Sequence, residues 1–182
     1  WICDGEAESV FFGWPVAGAG DVNGVGFGDI IIGAWGANLN AGRVYVYYGS
    51  TNGPSAVAWI ASGWDVDDYF GSAIAGAGDV NGDGFGDIII TGYGHDANDL
   101  SNVGRAQIYY GSAAGLLPNP AWSVDGVQAA EMLGRAVAGA GDVNGDGFAD
   151  VLIGAAGKEN KGCASVYYGA GSGLSMRPCA LQ

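Results

Sequence analysis

The sequence predicts an all-β chain built from three small antiparallel sheets. A nine-residue acidic loop occurs three times in 182 residues, each time followed by a short apolar run. The 36 glycines and only 14% charged residues fit short strands joined by tight turns rather than helices. Hydrophobic residues make up 49% of the chain, which is ample material for a core.

The middle loop reads Asp79-Val80-Asn81-Gly82-Asp83-Gly84-Phe85-Gly86-Asp87. It sets carboxylate or amide oxygens at positions 1, 3, 5 and 9, through Asp79, Asn81, Asp83 and Asp87. Calcium takes about six to eight oxygens at about 2.3–2.6 Å from carboxylates, amides, backbone carbonyls and water. Alternate positions turn successive side chains inward, and Gly82 and Gly84 allow the curl that gathers them. The carbonyl of Phe85 is the natural ligand at position 7. The run Ile88-Ile89-Ile90 that follows reads as a buried strand. An EF-hand would need flanking helices and a bidentate Glu at position 12, and neither is present.

Asp142 to Asp150 is a full copy, followed by Val151-Leu152-Ile153. Asp21 to Asp29 is a copy with Val25 in place of the third acid. Asp-Gly and Asn-Gly are good turn formers in their own right, but turn formation alone does not explain one acid spacing kept three times.

The loops lie 58 residues apart (Asp21 to Asp79) and then 63 (Asp79 to Asp142), and the surrounding segments repeat with them. Phe12-Gly13, Phe70-Gly71 and Leu133-Gly134 precede the loops, and Ala-Gly-Ala-Gly directly abuts each first Asp. Gly33-Ala34-Trp35, Thr91-Gly92-Tyr93 and Gly154-Ala155-Ala156 follow the apolar run. A third strand ends in Tyr47-Tyr48, Tyr109-Tyr110 or Tyr167-Tyr168. The units are 1–58, 59–121 and 122–182, with Trp1, Trp59 and Trp122 aligned. Each offers four strand candidates, in the middle copy roughly 57–62, 71–77, 87–91 and 105–110. Four-stranded sheets repeated at this period predict the blades of a β-propeller, each packed on both faces.

Composition narrows the function. A net charge of −13 argues against nucleic acid, whose binding needs Lys and Arg on phosphates. Much of that charge lies in the loops, where a divalent ion would offset it. No apolar stretch approaches the length of a membrane span. Trp1 follows no methionine or signal-like segment, which suggests a processed or excised piece. Calcium loops of modest charge suit the millimolar calcium found outside the cell. There, three cysteines allow one disulfide and one odd thiol. If Ala170 to Gly173 forms a turn, Cys163 and Cys179 face each other across a hairpin and Cys3 is left over. A Cys3–Cys179 bond between successive subunits is the rival pairing.

The Phe-Gly, the Asp-x-Asn-x-Asp-Gly-x-x-Asp loop and the Gly-Ala-x element, in this order, resemble the FG-GAP repeat over essentially the whole chain. That repeat builds the propeller of integrin α subunits and of many bacterial surface proteins. The resemblance implies calcium ligands Asp79, Asn81, Asp83, Phe85 (carbonyl) and Asp87. It likewise implies Asp142, Asn144, Asp146, Phe148 (carbonyl) and Asp150. The first copy departs at Val25, leaving a weaker set of Asp21, Asn23 and Asp29.

The expected function is a non-catalytic, calcium-stabilised extracellular module for adhesion or protein–protein interaction. Closed propellers have about four to eight blades, so three blades leave apolar faces at both ends. Either the chain is part of a longer one, or copies associate into a homo-oligomeric ring or filament. The alternative is a carbohydrate-binding propeller accessory to a polysaccharide-acting protein. It would stack glycan on the tyrosine pairs or on Trp14 and Trp35, which lack counterparts in the other units. His95 is expected in a solvated loop, and no nucleophile motif accompanies it.

Overall fold

The computed structural model describes residues 1–175. The first sheet is a meander of β1 (Val16–Gly20), β2 (Asp29–Ala34), β3 (Arg43–Tyr47) and β4 (Val57–Ser62), hydrogen-bonded in chain order. The second repeats it with β5 (Ala73–Gly78), β6 (Asp87–Gly92), β7 (Arg105–Tyr109) and β8 (Trp122–Asp125). The third has β9 (Leu133–Gly141), β10 (Asp150–Ala155) and β11 (Cys163–Tyr167). All neighbours are antiparallel. The architecture is that of open propeller blades, and the sheets do not close into a ring. The third blade shows three strands among the described residues, where four were expected. The first strand candidate of the unit 122–182, Trp122–Asp125, pairs instead into the second sheet, and the residues beyond 175 lie outside the description. Among the described residues no helix is long and apolar enough to cross a membrane.

The central strands explain the absence of polar alternation. Ile88 and Ile90 pack with Ile31, Val44 and Val46 of the first blade. Ile89, between them, packs with Val151 and Ile153 of the third. One strand thus buries successive side chains in two different cores, each worth about 1.5–3 kcal/mol on full burial.

The sheets are offset by one strand from the sequence units. The strand at 57–62 pairs with β3, in the sheet of the preceding copy, and Trp122–Asp125 pairs likewise with β7. The reason is the connection. After each Tyr-Tyr pair a tight turn reverses the chain, with Gly53 N donating to Ser50 O at 3.0 Å and Gly115 N to Ser112 O at 2.7 Å. A short turn of this kind joins antiparallel neighbours of one sheet. The same turn closes at Ala170, which accepts from Gly173 N at 2.7 Å. The turn that would set Cys163 opposite Cys179 is therefore present, but Cys179 itself lies outside the described residues. Among those residues no disulfide forms, and the Cys3 Sγ sits 3.0 Å from the Tyr47 hydroxyl.

The offset places Trp59 and Trp122 against the next blade. Trp59 of β4 meets Tyr109 edge-on at 5.0 Å, and Trp122 of β8 meets Tyr167 at 5.4 Å. Tyr47, Tyr109 and Tyr167 are all buried, so the first tyrosine of each pair serves packing.

Candidate metal-binding loops

The acidic loops join β1 to β2, β5 to β6 and β9 to β10. In each, the closing acid is a strap. The buried Asp87 carboxylate accepts from Val80 N and from Gly111 N, both at 2.9 Å, tying the loop start to the end of β7. Asp29 does the same with Val22 N (2.8 Å) and Gly49 N (2.7 Å), and Asp150 with Val143 N (2.8 Å) and Gly169 N (2.9 Å). Burial, followed by the charges of Asp83 and Asp79, pushes the Asp87 carboxyl up to about 7 despite those two amides. Burial also raises Asp29.

The other acids lie on the exposed rim. Asp79 accepts from Gly82 N (2.7 Å), Asp83 N (3.0 Å) and Gly84 N (2.8 Å). Asp83 accepts from Phe85 N (3.0 Å) and from the Asn81 side-chain amide (2.8 Å). The third loop repeats this through Asp142, Asn144 and Asp146. The amide of Gly147, foremost among several, holds the Asp142 carboxyl below its usual range. In the first loop Asp21 still accepts from Val25 N and Gly26 N, but Val25 leaves the Asp83 position without a carboxylate. Asp79, Asn81 and Asp83 therefore share one rim with Asp87 beneath it, and the third loop matches. Among the described residues no three acidic, histidine or cysteine side chains already converge as a metal cage. The donor set is all oxygen, which suits calcium or magnesium rather than zinc or copper. A carboxylate has about four lone-pair sites, so bonds to loop amides leave accepting capacity for an ion.

A feature that the sequence reading missed is that the first and second loops are each braced by the next blade. Gly86 N donates to Asp21 O (2.9 Å) and Ser112 N to Val22 O (3.1 Å). Ala149 N and Ala170 N donate in the same way to Asp79 O (2.9 Å) and Val80 O (3.0 Å). The rings of Phe85 and Phe148 lie over the preceding loop, where a Cβ added at Gly24 or Gly82 would meet them at 2.6 Å. Phe85 and Phe148 thus have a packing role besides the carbonyl for which they were singled out.

At the opposite end of the blades, an aromatic ladder crosses from the first to the third. Phe11 stacks on Trp35 (4.2 Å), Trp35 meets Tyr69 edge-on (5.8 Å), and Tyr69 stacks on Tyr93 (5.0 Å). The Arg135 guanidinium lies 4.4 Å from the Tyr93 ring centre. Trp35 is therefore engaged within the chain, while Trp14 is exposed.

His95 corrects another expectation. It is buried, not solvated, with Nδ1 3.1 Å from the buried Asp68 carboxylate. The loop turns inward because this pair satisfies both polar groups. The equivalent place in the third blade holds Lys158, 3.1 Å from the buried Glu131.

Comparison with known proteins agrees with this architecture. The family described as FG-GAP repeat matches residues 70–109 and 133–172. Integrin alpha-5 of Xenopus laevis is 32% identical over 96% of this chain and 18% of its own length. Integrin alpha-IIb of Mus musculus is 33% identical over 84% of this chain and 16% of its own. Phosphatidylinositol-glycan-specific phospholipase D of Bos taurus is 32% identical over 91% of this chain and 21% of its own. The chain thus spans about a fifth or less of these relatives. With the Phe-Gly, acidic-loop and Gly-Ala elements recurring at the same places on successive blades, the chain carries FG-GAP repeats.

Proposed function

We propose that the chain is an extracellular, calcium-binding module for adhesion or protein–protein interaction, without catalytic activity of its own. The observation that carries this reading is the rim of Asp79, Asn81 and Asp83 with the buried Asp87 carboxylate beneath it, repeated at Asp142, Asn144, Asp146 and Asp150. A divalent cation among these oxygens would offset the negative charge gathered in each loop. Asp79, Asn81, Asp83, Asp87 and the Phe85 carbonyl would hold one ion. Asp142, Asn144, Asp146, Asp150 and the Phe148 carbonyl would hold a second, and the first loop takes calcium weakly. The relatives support the coarser part: a segment shared by integrin alpha chains and a phospholipase D fits recognition rather than the chemistry of the latter.

Thermal unfolding in calcium and in chelator tests the proposal. At calcium a few-fold above the dissociation constant, each site adds about 1 kcal/mol. That raises the midpoint by about 2–4 °C per site in a chain of this size. The double variant Asp83→Ala, Asp146→Ala should lose nearly all of the difference. A wild-type midpoint indifferent to calcium would refute the metal reading.

A further inference from the structure

Four Asn-Gly pairs occur in the chain, beginning at Asn23, Asn52, Asn81 and Asn144. An asparagine before glycine is open to attack by the next amide nitrogen on its own side chain, because no Cβ hinders the approach. That attack needs the glycine N–H unbonded and the side-chain amide free to turn. The pairs in the three acidic loops differ in both respects.

In the second loop both groups are held. Gly82 N donates to the Asp79 carboxylate at 2.7 Å, and the Asn81 side-chain amide donates to Asp83 at 2.8 Å. The third loop repeats the two bonds, from Gly145 N to Asp142 at 2.7 Å and from the Asn144 amide to Asp146 at 2.8 Å. In the first loop neither forms. Val25 stands in the place of Asp83 and Asp146, so the Asn23 amide has no carboxylate to meet. The Asp21 carboxylate bonds Val25 N (3.1 Å) and Gly26 N (2.7 Å), and among the described residues Gly24 N has no hydrogen-bond partner.

In other respects the first two loops match. Gly24 and Gly82 have φ of +71° and +76°, and each lies under a phenylalanine ring of the next blade. Asn23 and Asn81 are both half-buried. Their side-chain oxygens accept from the amide two residues on, Val25 N at 3.2 Å and Asp83 N at 3.0 Å. That bond folds each side-chain carbonyl back toward the glycine amide. The two bonds to carboxylates are what separates the sites.

We propose that Asn23, alone of the three loop asparagines, is a site of spontaneous deamidation, opened by the missing acid of its loop. Gly24 N loses its proton to solvent and bonds to the Asn23 Cγ. The Cγ–Nδ2 bond breaks, and the nitrogen takes a proton from solvent and leaves as ammonia. The cyclic imide then takes up water. Opening at Cγ leaves aspartate, and opening at the backbone carbonyl leaves isoaspartate; the net change is water in and ammonia out. Aspartate gives the loop carboxylates at positions 1, 3 and 9. Isoaspartate lengthens the backbone next to Val22, whose carbonyl accepts from Ser112 N of the second blade at 3.1 Å.

Peptide mapping by mass spectrometry, on the whole chain aged in mildly alkaline buffer with chelator, is the test. Chelator keeps ions out of the loops, so the outcome does not depend on the calcium reading. Asn23 should convert at least about tenfold faster than Asn81 or Asn144, the factor that one hydrogen bond to a charged partner supplies. Val25→Asp returns a carboxylate beside Asn23 and should slow its conversion. Asp83→Ala should speed that of Asn81. Asn52, in the turn after β3 with Gly53 N bonded to Ser50 O at 3.0 Å, is the internal reference and should keep its rate in both variants. Val25 and Asp83 are exposed, so both variants should fold, which their thermal transitions verify. Equal rates at Asn23 and Asn81 in the wild type would overturn the proposal. So would an Asn23 rate that Val25→Asp leaves unchanged.

Discussion

Gly82 and Gly145 occupy equivalent loop positions with the same left-handed backbone, φ +76° and +77°. An alanine at either must bear the same left-handed strain, about 1–2 kcal/mol. Only at Gly82 does the new Cβ meet another blade, 2.6 Å from the Phe148 ring; at Gly145 nothing lies within 4 Å. Forcing a methyl into packed surroundings costs about 1–3 kcal/mol more. Gly82→Ala should therefore cost about 2–5 kcal/mol in total and Gly145→Ala about 1–2 kcal/mol. At about 2–4 °C per kcal/mol the two midpoints should differ by roughly 5 °C. The comparison belongs in chelator, so that no ion rests on the loops. Gly24→Ala, with the Phe85 ring at 2.6 Å and φ +71°, should behave like Gly82→Ala. Equal losses at Gly82 and Gly145 would mean that the Phe148 ring does not brace the second loop, and the account of inter-blade bracing would fail.

Two further predictions concern polar pairs away from the loops. His95→Ala leaves the buried Asp68 carboxylate without its imidazole, at a cost of about 1–3 kcal/mol in urea unfolding; an unchanged midpoint would show that the pair adds nothing. Arg105, bonded to Asp125 through Nε and Nη2 (2.5 and 2.8 Å), holds the Asp125 carboxyl below its usual range. A depressed carboxyl stabilises the fold above its unfolded value, about pH 4, and that contribution is lost as the pH falls through the folded value. The pair is part-exposed, so the effect stays below about 1 kcal/mol. Arg105→Gln should match wild type in strong acid and fall behind it above about pH 4, as read by unfolding at a series of pH values.

The repeat made the strands legible because Ile88-Ile89-Ile90 and its counterparts carry β propensity and hydrophobic burial in the same three residues. The loop residues could be placed in advance because acid spacing is a local property. Strand membership was less legible. The segment 57–62 looks like the start of a unit because Trp59 aligns with Trp1 and Trp122, whereas its hydrogen bonds go backwards to β3. Alignment registers similarity between copies and not which neighbour a strand pairs with; the turn at Ser50–Gly53 held that information. The role of the closing acid was also hidden. Asp29, Asp87 and Asp150 read as ligands because of their spacing, but each also ties two amides that are distant in sequence. His95 looked solvated because it begins a polar loop, and its partner Asp68 lies in a different loop, at a distance no periodicity reveals. Trp35 stood out as having no counterpart in the other units, yet its stacking on Phe11 could not be read from a neighbourhood of glycines.

Calorimetric titration with calcium addresses the central claim most directly. Two sites per chain are predicted for wild type, with one lost in Asp83→Ala and one in Asp146→Ala. Val25→Asp, which restores the missing acid of the first loop, should add a third. No binding at millimolar calcium, or a stoichiometry that neither aspartate variant changes, would contradict the assignment of these loops.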